Sequence, residues 1–407
     1  PSGFEYELAS GFAQFIGVEL EIKPFYNNSL MLKQLQNENI DIIASQFSFA
    51  PETLNQYKLG PAYQYYSQQV VIHRSQRKLS DINDISGKVY VQRYSQQAAI
   101  MQKHHKSVDV NRLNWQQVEQ YDDEELLLLV AERKIDATIA NSALVNVMRR
   151  RYPEIKMGLD LETSSAQHWL MHINQDDSLL GALLEYFGEL QSSGEFSRLQ
   201  EKYFGHIREF DYVDTRAFIA AIETDLPQYQ PWFEQYSGNF DWQLLAATSY
   251  QESHWEKHAR SPTGVRGLMM LTLPTAKEVG ITSRLDPEQS IRGGATYLRN
   301  LYDRIPARIS DPDKIYFALA AYNLGLGHVE DARVLTQRKG FDPDLWVDVK
   351  QHLPLLKQKK YYQNARYGFA RGDVAVKYVE NIRRYYDSLM YRTNATASAE
   401  ESEIDIN

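Results

Sequence analysis

The sequence contains no cysteine. That excludes disulfide staples, thiol nucleophiles and cysteine-ligated zinc or iron–sulfur sites, and it leaves the compartment open, because cysteine-free chains suit oxidising and reducing environments alike. Long apolar runs are missing too: nothing approaches the ~20 residues a helix needs to cross a bilayer. Basic residues are in deficit, 44 Lys and Arg against 53 Asp and Glu, for a net charge of −9. This argues against a nucleic-acid binder, since neutralising phosphates requires a cationic face. Part of the acidity is local. Residues 393–407 carry Glu400, Glu401, Glu403 and Asp405 without a base, and read as a disordered acidic tail. The chain also lacks an initiating methionine and opens at Pro1 directly into helix-like sequence, so a signal or anchor segment removed upstream is expected.

What remains is a globular composition, 407 residues with 43% apolar and 24% charged, long enough for two or three domains with separate cores. Up to about residue 205, short β-rich runs alternate with amphipathic ones, the pattern of an α/β domain. Candidate strands are Val18–Pro24, Ile40–Gln46, Gln69–His73, Lys88–Arg93, Ile135–Asn141 and Gln167–Ile173; candidate helices are Phe4–Phe15 and Asp122–Arg133. From about residue 211 the β-rich signal vanishes. Helical runs follow, punctuated by Gly280, Gly325 and Gly340 where left-handed caps are expected, and by Pro274, Pro312 and Pro343 near first turns. The last run sets Val374, Tyr378, Val379, Ile382, Tyr385, Tyr386 and Leu389 on one broad face, as core packing would. The expected division is 1–205, 206–392 and the tail.

One constellation carries chemistry. In the predicted helix from Asp241 to Trp255, Leu245, Thr248, Ser249 and Glu252 recur at helical spacing, which sets a carboxylate on the stripe that faces the core. Burial disfavours a charged carboxylate, so Glu252 is expected to keep its proton near neutrality and to serve as a general acid. A surface glutamate at a frayed helix end is the competing reading. Ala259–Leu271 follows, a segment punctuated by Gly264 and Gly267 that can approach a ligand closely, then the soft side chains of Met269 and Met270. His254 and His258 stand four apart, as in zinc peptidases. Trp255 occupies the place of the glutamate that would act on metal-bound water, so no metal site is assigned.

Four stretches, Gln251–Trp255, Ser261–Leu271, Ala320–Gly325 and Tyr378–Arg383, resemble in this order the Slt-type lytic murein transglycosylases. The run Gly264–Thr272, with Ala320–Asn323 and Asp331–Arg333 behind it, is similar to a membrane-bound branch that joins this domain to a solute-binding-like one. Gly3–Ala9 and Ile40–Ala44 in turn resemble type 2 periplasmic solute-binding proteins. The resemblance implies an α/β plus all-α chain, a two-lobed solute-binding-like regulatory domain followed by a helical goose-lysozyme-like catalytic domain. It implies cleavage of the β-1,4 bond between N-acetylmuramic acid and N-acetylglucosamine in peptidoglycan glycan strands, with 1,6-anhydro ends, no water and no cofactor. Glu252 would be the catalytic acid and then base, the substrate's acetamido group taking the place of the second carboxylate that most glycosidases use. Ser261, Met269, Met270, Tyr322, Asn323 and Tyr378 would bind substrate. One departure is Val374, where many relatives carry an acid four positions before the tyrosine; Asp373 stands beside it.

In the N-terminal half the resemblance implies lobe one at about 1–72 and 166–205 and lobe two at about 73–165, closing on a ligand. The charged clamps of amino-acid binders are absent: Ala50–Leu54 has no arginine, and Asn141 stands where an acid is expected. Ser45 and Asn141 are the candidate ligand contacts, and cell-wall stem peptides or amino acids the candidate ligands. The opening strand of that fold has no counterpart in this sequence. The implied location is the periplasm of a Gram-negative bacterium at the inner face of the outer membrane, held by a segment not in this sequence. Two other functions stay open on the residues alone: a sensor whose helical domain only docks on glycan, and a hydrolytic lysozyme, which would need a further base to position water.

Overall fold

Val70, Val71 and Ile72 form an apolar run without a polar break, as in a strand covered on both faces. In the computed structural model, which describes residues 3–105, 113–207, 212–262 and 264–404, this run is the centre of a sheet. The chain divides into two units, Pro1–Tyr203 and Phe204–Asn407.

Among the described residues the first unit has eight strands: β1 (Ile42–Ile43), β2 (Lys58–Leu59), β3 (Gln64–His73), β4 (Gly87–Gln92), β5 (Leu113–Val118), β6 (Ala137–Asn141), β7 (Ile155–Gln167) and β8 (Leu170–Met171). They form a small antiparallel sheet in the order β1-β8-β2 and a five-stranded sheet in the order β5-β4-β6-β3-β7. In the larger sheet, β4 runs parallel to β5 and β6, and β3 runs antiparallel to β6 and β7. Val70 and Ile72 pack one way, onto Ala98 and Met101 of the helix Gln96–His105, while Val71 packs the other way, with Leu126, Leu127 and Val130 of the helix Asp123–Ala131. Asp122 and Glu125 start that second helix as a reciprocal capping box. The small sheet gathers Leu32, Leu35, Ile43, Phe49, Tyr57 and Leu170.

Three departures from the sequence reading have physical causes. Val18–Pro24 alternates like a strand but is none: Val18, Leu20 and Ile22 are exposed, and no described strand lies beside the segment to complete a ladder. β3 starts at Gln64 and belongs wholly to the five-stranded sheet, so the chain crosses between sheets near residue 60 rather than residue 72. The final helix runs Gly372–Ile404, through most of the segment read as a disordered tail. Alanine and glutamate, strong helix formers, dominate its last turns.

The second unit is helical. Trp242–Ser253, Pro287–Arg304, Asp313–Leu324, Leu326–Arg338 and Gly372–Ile404 enclose a core that includes Phe233, Phe317, Leu298, Val379 and Ile382, all essentially free of solvent. Val374, assigned to the core face from its spacing, is exposed instead.

Candidate active site

The helix Trp242–Ser253 buries Leu245, Ala246, Ala247, Thr248 and Ser249 completely and carries Glu252 in its last turn. It stops there because His254 and Trp255 both take left-handed backbone, with φ of 51° and 61°. Trp255 turns back into the core, donating its indole N–H to the Ala246 carbonyl at 3.0 Å and packing on Phe218 and Tyr250. His254 and His258 therefore do not share a helical face, and the spacing of a zinc motif is not realised in space.

The Tyr378 hydroxyl, from the final helix, donates to Glu252 Oε1 at 2.6 Å. Burial pushes the Glu252 carboxyl up to about 7, against the opposing pull of that hydrogen bond, which favours the carboxylate. Burial likewise holds the Tyr378 and Tyr322 phenols well above their ordinary value, and the charge of Glu252 beside them adds to it, so both remain hydrogen-bond donors. Tyr322, on the helix Asp313–Leu324, donates to the Met269 carbonyl at 2.8 Å, and Asn323 next to it is exposed.

The loop between these helices is tied down through its backbone. The Leu268 carbonyl accepts from Ser249 Oγ at 3.1 Å and Ser253 Oγ at 2.9 Å. The Arg284 guanidinium donates to the Gly264 and Leu271 carbonyls, each at 2.9 Å. Gly267 has φ +82°, and a Cβ on it would fall 1.7 Å from the Arg284 carbonyl oxygen, so no other residue fits. Ser261 closes the tip: its N–H donates to Val265 O at 3.1 Å and its Oγ accepts from Val265 N–H at 3.3 Å.

Of the residues singled out in the sequence, Glu252 and Tyr378 are in direct contact, and Tyr322 joins them across the loop. Met269 corrects the expectation of a cleft wall: its side chain is fully buried against Gly294, where a Cβ would come within 2.5 Å of it, and it offers the site a carbonyl. Met270 is half-buried with φ 45°. Ser253, Arg284 and Ser290, which accepts the Met269 N–H at 3.2 Å, were not identified from sequence; two serines four apart in an apolar helix were the available signal.

In the first unit, Asn141 is committed to structure. It accepts from Leu144 N–H at 2.8 Å as a helix cap and donates to the Gln46 carbonyl at 3.3 Å. The Ser45 hydroxyl is buried and has no hydrogen-bond partner among the described residues. Beside them lies a polar layer that went unrecognised in the sequence. Ser48 Oγ accepts from Gln68 Nε2 at 3.0 Å and Gln167 Nε2 at 2.8 Å, side chains from the paired strands β3 and β7. Gln68 Oε1, Ser165 Oγ and both amide atoms of Gln97 are buried without a partner among the described residues. A glutamine pair breaking the apolar character of β3 was the sequence signal.

Two family models cover most of the chain: bacterial extracellular solute-binding proteins, family 3, over residues 1–206, and the transglycosylase SLT domain over residues 232–345. Fold and site thus define a peptidoglycan lytic transglycosylase with a solute-binding domain in front of its catalytic domain. A protein of Photobacterium profundum named membrane-bound lytic murein transglycosylase F is 49% identical over 394 residues, covering 96% of this chain and 76% of that protein. For its namesake in Alteromonas mediterranea the identity is 49% over 396 residues, covering 96% and 86%. The chain belongs to the membrane-bound lytic murein transglycosylase F family. Among solved structures, an ancestral arginine-binding protein bound to arginine superposes with a TM-score of 0.45 at 20% identity, covering 50% of this chain and 88% of that one. Among the described residues no helix is long and apolar enough to cross a membrane.

Proposed function

We propose that Glu252 is the single acid and base of the transglycosylation, and the observation that carries this is its carboxyl, raised to about 7 by burial while Tyr378 holds one of its oxygens. Protonated, it donates to the glycosidic oxygen between N-acetylmuramic acid and N-acetylglucosamine as the C1–O bond breaks. The substrate's acetamido oxygen meets the positive charge growing at C1. The carboxylate left behind then takes the proton of the muramic C6 hydroxyl, whose oxygen closes onto C1, so the proton balance is zero and no water enters. Tyr378 shares the carboxylate's charge between the two steps. Asn323 and Met270 contact the sugars; Tyr322 and Ser261 hold the loop in shape around them. Mass spectrometry of products from purified peptidoglycan tests this. Anhydro-muropeptides are expected from the wild type and none from Glu252→Gln, while products heavier by one water would identify hydrolysis.

We further infer that the solute-binding half regulates the catalytic half. The layer of Ser48, Gln68, Gln97, Ser165 and Gln167 contains no charged group, which suits the backbone amides of a peptide better than the charged ends of a free amino acid, and stem peptides of the cell wall are the proposed ligands. A ligand alters the rate only to the extent that it binds two conformations differently. Titrating stem peptides and amino acids into the intact chain, following heat and cleavage rate together, decides it: binding without a rate change leaves a passive targeting module. The proposed location is the periplasm, at the inner face of the outer membrane.

A further inference from the structure

Most large apolar side chains of the second unit are buried, yet Tyr367 and Phe369 are each 53% exposed and Val374 is 39% exposed, all within eight residues of chain at the entry to the final helix. Val374 lies one turn before Tyr378, so the two share a helical face, and Tyr378 touches Glu252. This exposure does not come from a loose segment. Asp331, only 8% exposed, spends both carboxylate oxygens on backbone N–H groups of the loop, Arg366 at 2.9 Å and Tyr367 at 2.7 Å. The Ala370 N–H donates to the Leu356 carbonyl at 3.2 Å. The Tyr367 ring rests on Gly327, where a Cβ would come within 2.8 Å of three ring carbons, and meets the His328 ring edge-on at 6.2 Å. Gly327 belongs to the helix Leu326–Arg338, which begins just after Asn323. Phe369 leans edge-on against Tyr362 at 5.7 Å.

The loop's backbone is thus fixed by a buried carboxylate, and although Tyr367 lies on Gly327 and carries the Arg366 guanidinium over its ring at 5.5 Å, about half of each aromatic residue is still presented to solvent. We propose that Tyr367 and Phe369 form a stacking platform for a further sugar ring of the glycan strand, beyond the two sugars that flank the scissile bond, with Asp331 as the positioning residue that holds it. This rests on the reading of Glu252 as the acid, because Val374 and Tyr378 follow Phe369 closely in the chain, and Gly327, on which Tyr367 lies, is four residues from Asn323. The chemistry fits a pyranose. Its C–H face carries weak positive charge and packs on the negative face of an aromatic ring, whereas its rim of hydroxyls stays in water.

The test uses the full chain, with peptide-free glycan strands of short and long length as probes. Tyr367→Ala and Phe369→Ala are expected to raise KM for long strands about 5- to 10-fold with little change in kcat, the signature of lost uniform binding, and to leave short strands unaffected. Asp331→Asn, which cannot accept both N–H groups, should shift KM in the same way, and should add little when combined with Tyr367→Ala. Should Asp331→Asn fail to fold, the two exposed aromatic positions still decide the matter. Unchanged KM on long strands, or an equal effect on short ones, overturns the platform. If the wild type releases no anhydro-products at all, it is the assignment of Glu252 that falls instead.

Discussion

Replacing Glu252 by glutamine removes a titrating group and keeps its shape, so the variant should reveal what ionising this carboxyl costs the fold. Its value rises from an ordinary 4.5 to about 7 in the folded chain. A rise from 4.5 to about 7, at roughly 1.4 kcal/mol per tenfold change in proton affinity, is about 3.5 kcal/mol, and the partial exposure of the side chain trims this to roughly 2–3 kcal/mol. The sign follows from which state binds the proton more tightly. The folded value lies above the unfolded one, so the contribution is complete below about pH 4.5 and is lost as pH rises through about 7. Wild type should therefore lose roughly 2–3 kcal/mol relative to Glu252→Gln between about pH 4 and pH 8.5. Denaturant unfolding of both proteins across that range measures it. Turnover should fall ~100- to 10,000-fold, because the amide can neither give nor retrieve a proton. A stability difference that stays flat with pH, or a variant keeping more than about a tenth of wild-type activity, would refute the reasoning.

Tyr378→Phe removes the hydrogen bond that favours the carboxylate, so the Glu252 value should climb further and the high-pH limb of the rate profile should move upward; a downward move would contradict the assignment. Ser253→Ala should cost about 1 kcal/mol, and Ser249→Ala with Ser253→Ala about 2–3 kcal/mol, because the double change leaves the buried Leu268 carbonyl without its two serine donors; chemical denaturation reads both. Gly267→Ala should destabilise by more than ~1 kcal/mol and abolish cleavage, since the backbone there is left-handed and the added carbon collides with the Arg284 carbonyl.

Much of this molecule could be read in advance, and the failures share a cause. Glu252 stood out because one carboxylate on a helical core stripe is rare and its consequences are local. Strands β3 and β4 are legible where valine and isoleucine cluster, and β6 in the Ile-Asp step that follows a helix end and a polar turn. β5 was missed because Leu113–Val118 is half polar, and most of β7 because Ile155–Gln167 mixes Gly158 with acids and serines. Val18–Pro24 alternates correctly, yet a strand also needs a neighbour, and alternation says nothing of neighbours. Met269 and Met270 are consecutive apolar residues, and what buries the first is Gly294 on a distant helix. Ser48, Gln68 and Gln167 meet only because β3 and β7 lie side by side, a long-range fact at which the glutamine pair in β3 alone could hint.

The abrupt end of the helix Trp242–Ser253 has an electrostatic consequence as well. The aligned peptide dipoles of a helix leave about half a negative charge on the unpaired carbonyls of its last turn, where cations are favoured and anions are not. Glu252 sits in that turn, so its own helix opposes ionisation along the same direction as burial does. Had the backbone continued past His254, the negative pole would lie further on and the glutamate would lose this help. The left-handed turn at His254 and Trp255 thus does more than redirect the chain: it places the acid at the pole of a helix, which favours retention of its proton until the substrate's oxygen takes it.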